Sequence, residues 1–230
     1  MTAEHGGTHS MTSPLPRILL INPNSSAATT AMMVAIAAAC CHGRAEIVGA
    51  TAMRAPAMIV DGAALAASAD EVVEIARAQG DGCDGIIVAA FGDPGAAEIR
   101  SFWPRPVVGI GEASMREAAR DGRRFGIATV TPALVASIAA LAGQLGLAAQ
   151  FTGTRLTTGD PAVLAADPEQ LEPALAAAAR ACITEDGAAA VIIGGGPLAQ
   201  AADRLQPQFE VPIIKPIAAA VTQLLQRLGA

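Results

Sequence analysis

The sequence is short of the residues that read or move charge. It has a single lysine, Lys215, and no Lys/Arg cluster, and its formal net charge is −6. That balance argues against a nucleic-acid partner. Aromatic residues make up only 3% of the chain although 52% of it is hydrophobic. Alanine supplies the difference, which reads as small-residue helices packed tightly around a sheet. No run is long and apolar enough to suggest a membrane span. The most apolar stretch, 132–150, is mainly alanine and is interrupted by Gly143, Gln144 and Gly146. The four cysteines, Cys40, Cys41, Cys83 and Cys182, lack metal-ligand spacing, and the adjacent pair is not expected to bridge itself. Reduced thiols in a cytoplasmic protein are the expectation. Residues 1–16 have no basic start and no apolar core, so they are expected to be a disordered tail and not a signal peptide.

What the sequence does contain is a repeat. Residues 82–92, Gly82 through Phe91-Gly92, lie over residues 187–197, Gly187 through Gly196-Pro197. Each is a Gly-led turn, a short apolar strand and a small-residue turn. The same overlay pairs Arg17–Asn22 with Arg124–Thr129 and Pro106–Gly109 with Pro212–Lys215, at nearly constant offset. Two similar α/β halves are implied. Facing halves bring their strand C-termini around one cleft, where open α/β sheets bind ligands. Ala90 and Gly195 are then symmetry mates across it.

Strand-like runs are expected at 17–22, 46–51, 85–90, 107–111, 125–130, 153–158, 191–195 and 212–215. Most are continuous apolar runs, as parallel strands covered on both faces require. Helical periodicity falls at 27–41, 62–79, 112–120, 132–145, 168–184, 198–205 and 217–228. Strand–helix alternation of this kind predicts an α/β fold of two pseudo-symmetric lobes, parallel sheets flanked by helices. Residues 17–112, completed by 213–230, are expected to form the first lobe and 113–212 the second.

The candidate site residues lie on the turns after strands. Asn22-Pro23-Asn24-Ser25-Ser26 opens the first helix, where the side chains cap it or leave N–H donors free for an anion. In Phe91-Gly92-Asp93-Pro94-Gly95, Asp93 reads as an N-cap with proline at the first helical position. An acid/base role for it is the alternative. Gly194-Gly195-Gly196-Pro197 suits a carboxylate or oxyanion nest. The Thr129 and Thr131 hydroxyls cap the next helix or meet a polar ligand. Lys215 stands at a strand end, either as a solvated amine or as the one cation of the cleft.

In this order the motifs resemble the aspartate/glutamate/hydantoin racemase superfamily, and the hydantoin and allantoin racemase branch most closely, from Arg17 to Leu228. The resemblance implies two α/β lobes, a cofactor-free site between them, a small carboxylate or cyclic imide or ureide as substrate, and a homo-oligomer. It also implies that amides and hydroxyls at Asn22, Ser25, Ser26, Ala90, Phe91, Gly92, Thr129, Thr131, Gly195 and Gly196 hold the substrate. In racemases of this family two cysteines face each other across the cleft and exchange the α-proton. Here those positions hold Ala90 and Gly195. The expected function is therefore a racemase-like isomerase acting through an oxyanion pocket without paired thiols, with Lys215 first and Asp93 second as proton carriers. A decarboxylating lyase of the same superfamily and a non-catalytic binding homologue are the alternatives.

Overall fold

The computed structural model describes residues 14–195 and 198–230. The first sheet contains β1 (Arg17–Asn22), β2 (Glu46–Thr51), β3 (Gly85–Val88) and β4 (Val107–Gly109), in the order β2-β1-β3-β4. The second contains β5 (Phe125–Thr129), β6 (Phe151–Leu156), β7 (Ala190–Ile193) and β8 (Ile213–Ile214), in the order β6-β5-β7-β8. All pairings are parallel. Register follows the repeat: Ile18 faces Gly85 as Phe125 faces Ala190, and Ile21 faces Val88 as Ala128 faces Ile193.

Side chains alternate across the strands, so each sheet needs two coverings. On one face of the first sheet, Ile18, Leu20, Ile87 and Val108 pack beneath α1 (Ala27–Cys41) and α9 (Pro216–Leu228). On the other, Leu19, Ile21, Ile86 and Val88 meet α2 (Gly62–Gln79) and α3 (Ala96–Phe102). One face of the second sheet lies under α7 (Pro168–Thr184) and α8 (Ala199–Leu205), through Ala128, Val191, Ile193 and Ile213. Its opposite face, with Phe125, Ile127, Ile192 and Ile214, packs on α4 (Ile110–Ala118) and α5 (Val135–Gln144). The short α6 (Pro161–Ala166) precedes α7.

Two differences from the sequence reading bear on the lobes. The stretch 213–230 does not move as a block to the first lobe, because Ile213 and Ile214 pair with Val191 and Ile192 of β7. Only α9 returns to the first sheet. The helices α3 and α6 were not expected; both are short, and neither covers enough length for a periodic signal.

The lobes are joined by more than the chain. Phe91, on the turn after β3 of the first lobe, is buried in the second lobe's core with Met115, Phe125, Ile127 and Ile138. Truncating a buried phenylalanine removes its transfer energy and leaves a cavity. Phe91→Ala is expected to cost about 3–5 kcal/mol of stability by urea denaturation. A loss below about 1 kcal/mol, the range of ordinary surface changes, would contradict its place in that core.

Candidate functional site

Turns from both lobes line one cavity. Asn24 follows β1, Ala89, Ala90 and Phe91 follow β3, Thr129 to Thr131 end β5, and Gly194 and Gly195 follow β7. Met58, Ile59, Leu65, Leu134, Ile138 and Leu198 add apolar walls. Ala90 and Gly195 therefore share a cavity, as their positions in the repeat require. Gly196 lies outside the described residues.

The polar side chains of the lining are few: Asn24, Thr129 and Thr131. Asn24 Oδ1 accepts from Asn22 Nδ2 and from the Ser26 amide, both at 2.9 Å. With the oxygen engaged twice, the Asn24 amide nitrogen is the half of the group left for a ligand. Thr129 donates its hydroxyl to the Gly194 carbonyl at 3.0 Å, which ties β5 to the β7 turn and leaves the hydroxyl as an acceptor. The backbone N–H groups of Ala90, Phe91 and Gly195 have no acceptor among the described residues. No lining side chain among the described residues is an acid, a base or a thiol.

Several expected contacts are instead supports. Asn22 is fully buried, and its amide donates to Asn24 Oδ1, the Ser26 carbonyl and Thr30 Oγ1, while its oxygen accepts from the Asn24 amide. Every polar atom is used, so it builds the turn and does not face the cavity. Ser26 is the N-cap of α1, accepting from the Thr29 amide at 3.2 Å. The Ser25 amide donates to the Pro56 carbonyl at 3.2 Å, and neither serine lines the cavity. Gly92 lies in a neighbouring groove between α2 and α5.

Asp93 is also corrected. It does not cap the helix that follows it, since Gly95 is the N-cap of α3. Its carboxylate reaches across to α4, accepting from the Gly111 amide at 2.8 Å and the Glu112 amide at 2.6 Å. The α4 N-cap, Gly109, has no side chain to do this, and a Cβ there would stand 2.0 Å from Asp93 Cγ. Asp93 is absent from the cavity lining. Burial pushes its carboxyl up to about 7, opposed by the two amide N–H groups and by Arg100, and helped by the nearby Glu112 carboxylate. Glu112 itself is buried, which opposes ionisation, yet Arg100 and Arg116 hold it below the usual carboxylate range.

Lys215 is not a cleft residue. Strand alternation sends it with Ile213 to the α8 face, where its ammonium bonds Asp203 Oδ1 at 2.6 Å. It is 41% exposed there and lines a separate groove with Glu117, Arg120 and Thr222. The thiols are no nearer: Cys41, Cys83 and Cys182 are buried in lobe cores and Cys40 lies half-buried on α1. Burial pushes the Cys182 thiol up to about 11.

The sequence reading missed the apolar walls. Met58 and Ile59 sit in the irregular stretch between β2 and α2, where no periodicity marks a buried face. Glu71 holds the start of that stretch by accepting from the Met53 amide at 2.6 Å and the Arg54 amide at 3.0 Å.

Paired parallel lobes closing on one cavity at their strand C-termini define a class that the comparisons identify. The family model for Asp/Glu/hydantoin racemase matches residues 18–224, and the chain belongs to that family. It is 32% identical over 214 residues to a hydantoin racemase of Rhizobium meliloti, covering 93% of this chain and 89% of that one. An allantoin racemase from Klebsiella pneumoniae superposes with a TM-score of 0.85 at 31% identity, over 93% of this chain and 89% of that one. An allantoin racemase from Pseudomonas fluorescens gives 0.86 at 27% identity, over 93% and 92%.

Two measurements follow from this geometry. Gly195 has φ +127°, which L side chains rarely adopt, whereas Ala90 already carries a Cβ. Gly195→Cys is expected to cost about 1–3 kcal/mol in backbone strain, while Ala90→Cys stays within about 0.5 kcal/mol, by thermal or urea unfolding. Equal costs would mean that the turn relaxes freely. Because the folded pKa of Asp93 is raised from 3.8 to about 7, its contribution to stability is full below 3.8 and is lost as pH rises through about 7. The stability of wild type minus that of Asp93→Asn is expected to fall across that window in urea titrations. A difference independent of pH would show that the carboxyl does not titrate there.

Proposed function

We propose that the cavity between the lobes binds a small carboxylate or cyclic ureide of the hydantoin type, and that this chain does not racemise it by thiol proton transfer. The nominal class of the family is isomerase. The observation that carries the reading is the lining itself: apolar walls and turns whose Ala90, Phe91 and Gly195 amides lack a protein acceptor, with no titrating side chain among the described residues. Aligned N–H groups stabilise a carbonyl oxygen or a developing enolate without titrating. Racemisation needs in addition a group that removes a proton and one that returns it. Ala90 and Gly195 occupy the positions where the family resemblance calls for those groups. The Lys215 amine is engaged with Asp203 instead. The non-catalytic binding reading thus gains over the isomerase reading.

The same wall favours one catalytic alternative. Loss of CO2 leaves the bonding pair on an enolate without any protein base, water supplies the proton that completes the product, and an apolar surface suits a carboxylate leaving as a neutral molecule. A decarboxylating member of the superfamily needs less from this cavity than a racemase does.

The test is to incubate the protein with allantoin and with enantiopure 5-substituted hydantoins in D2O. Binding is read by calorimetry, α-proton exchange by NMR, and CO2 release from 2-substituted malonates in parallel. Saturable binding of a ureide without exchange is the expected result. Family-like exchange or racemisation would sink the non-catalytic reading and require an acid/base pair at this cavity. CO2 release would select the lyase.

A further inference from the structure

We infer that Asp93 is a positioning residue: it fixes the Ala90–Gly92 turn, and with it the turn's unpaired amides beside the cavity, by anchoring that turn to the first turn of α4. This rests on the proposed ligand role of the cavity, but its geometry can be tested without a ligand.

The turn needs an anchor. Gly92, Asp93 and Gly95 all have positive φ, at 122°, 54° and 76°. For Asp93, a residue with a Cβ, the left-handed region is uncommon and must be held by its surroundings. Within the turn the only backbone bonds are the Asp93 amide to the Ala90 carbonyl at 3.0 Å and the Ala96 amide to the Asp93 carbonyl at 3.2 Å. The Ala90 and Phe91 amides have no acceptor among the described residues; the bond to the Ala90 carbonyl restrains the peptide that carries the Phe91 N–H, and no other backbone bond within the turn helps to aim them. Two side chains do. Phe91 is buried among second-lobe residues, and the Asp93 carboxylate takes the Gly111 and Glu112 amides.

The partner helix explains why this anchor matters to the cavity. Helix α4 starts where β4 ends, covers the second sheet through Met115 and Ala118, and packs on α9, which covers the first. A bond from the Ala90 turn to α4 is thus a bond from one wall of the cavity to the element that couples the lobes. The cost of this arrangement is visible at Gly109. A serine or aspartate at that N-cap position would cap α4 locally, as helices ordinarily do, but its Cβ would collide with Asp93 Cγ. The helix has its cap delivered from the site turn in place of its own.

That exchange can be reversed by mutation, which separates helix capping from turn positioning. In Asp93→Gly the left-handed backbone is kept and the colliding side chain is removed. Adding Gly109→Asp gives α4 a cap of its own at a position whose backbone, φ −90° and ψ 146°, suits an N-cap. Asp93→Asn is the contrasting variant, since it keeps one acceptor on the turn and the same backbone preference. Hydrogen exchange of residues 89–96 reads the turn, and thermal unfolding reads the fold. Calorimetry with allantoin reads the ligand site.

The expected outcome is a crossover. The Asp93→Gly/Gly109→Asp double variant recovers the melting temperature beyond Asp93→Asn, yet its turn exchanges faster than that of Asp93→Asn by about 10-fold or more and its allantoin affinity is the lower of the two. If turn protection and affinity recover together with melting temperature, Asp93 is a helix cap and nothing more, and the inference is overturned. If the double variant fails to recover stability, Asp93→Asn is compared with Val221→Ala, a core change in α9 adjusted by temperature to the same stability loss. Faster turn exchange in Asp93→Asn alone supports the anchor, and equal exchange overturns it. Should wild type not bind allantoin, the ligand reading loses that ureide while the exchange comparison still decides the anchor.

Discussion

Parallel pairing of the central strands is the constraint on which the site depends. The bonds between β1 and β3 and those between β5 and β7 set equivalent residues opposite each other in both lobes. A slip by one residue in either pair would exchange the faces of a strand buried on both sides. It would also carry a turn by a strand step away from its mate. The cavity is therefore a consequence of hydrogen-bond register, and the turns that line it inherit their placement from strands with no role in ligand contact.

Charge is arranged by the same economy. The buried carboxylates Glu71 and Glu112, and with them Asp93, all accept backbone N–H groups or guanidinium donors that hold loops and helix starts in place. Glu112 gathers Arg100, Arg116 and Arg227 at the base of α4. The lone lysine is drawn to Asp203 on the outer face, a half-exposed pair of the kind that contributes little to stability. Ionisable groups in this molecule fasten the frame of the cavity, and the lining itself is made from amides, hydroxyls and hydrocarbon.

Much of this was legible in the sequence, and the exceptions have physical reasons. The helices α1, α2 and α7 have the boundaries that their periodicity predicts, and the structure shows Ser26, Asp61 and Asp167 as their N-caps. The repeat located Ala90 and Gly195 in one cavity because local strand–turn patterns carry register. Side-chain direction was less accessible. Asp93 followed by Pro94 reads locally as a cap for its own helix, and only the tertiary approach of Gly109 and Gly111 lets it serve another. Lys215 at a strand end gives no hint of which face it takes in a strand of two residues. The Met58 and Ile59 wall comes from an irregular stretch pinned by a carboxylate on α2, a contact that no periodicity encodes.

The conformation of Gly195 has a consequence for descent. A turn that has settled at φ +127° no longer accepts a side chain without strain. Once such a backbone is in place, a mutation that supplies a thiol there meets a penalty before it can confer any advantage. The turn then acts as a ratchet: any residue with a side chain requires the loop to be rebuilt along with the exchange.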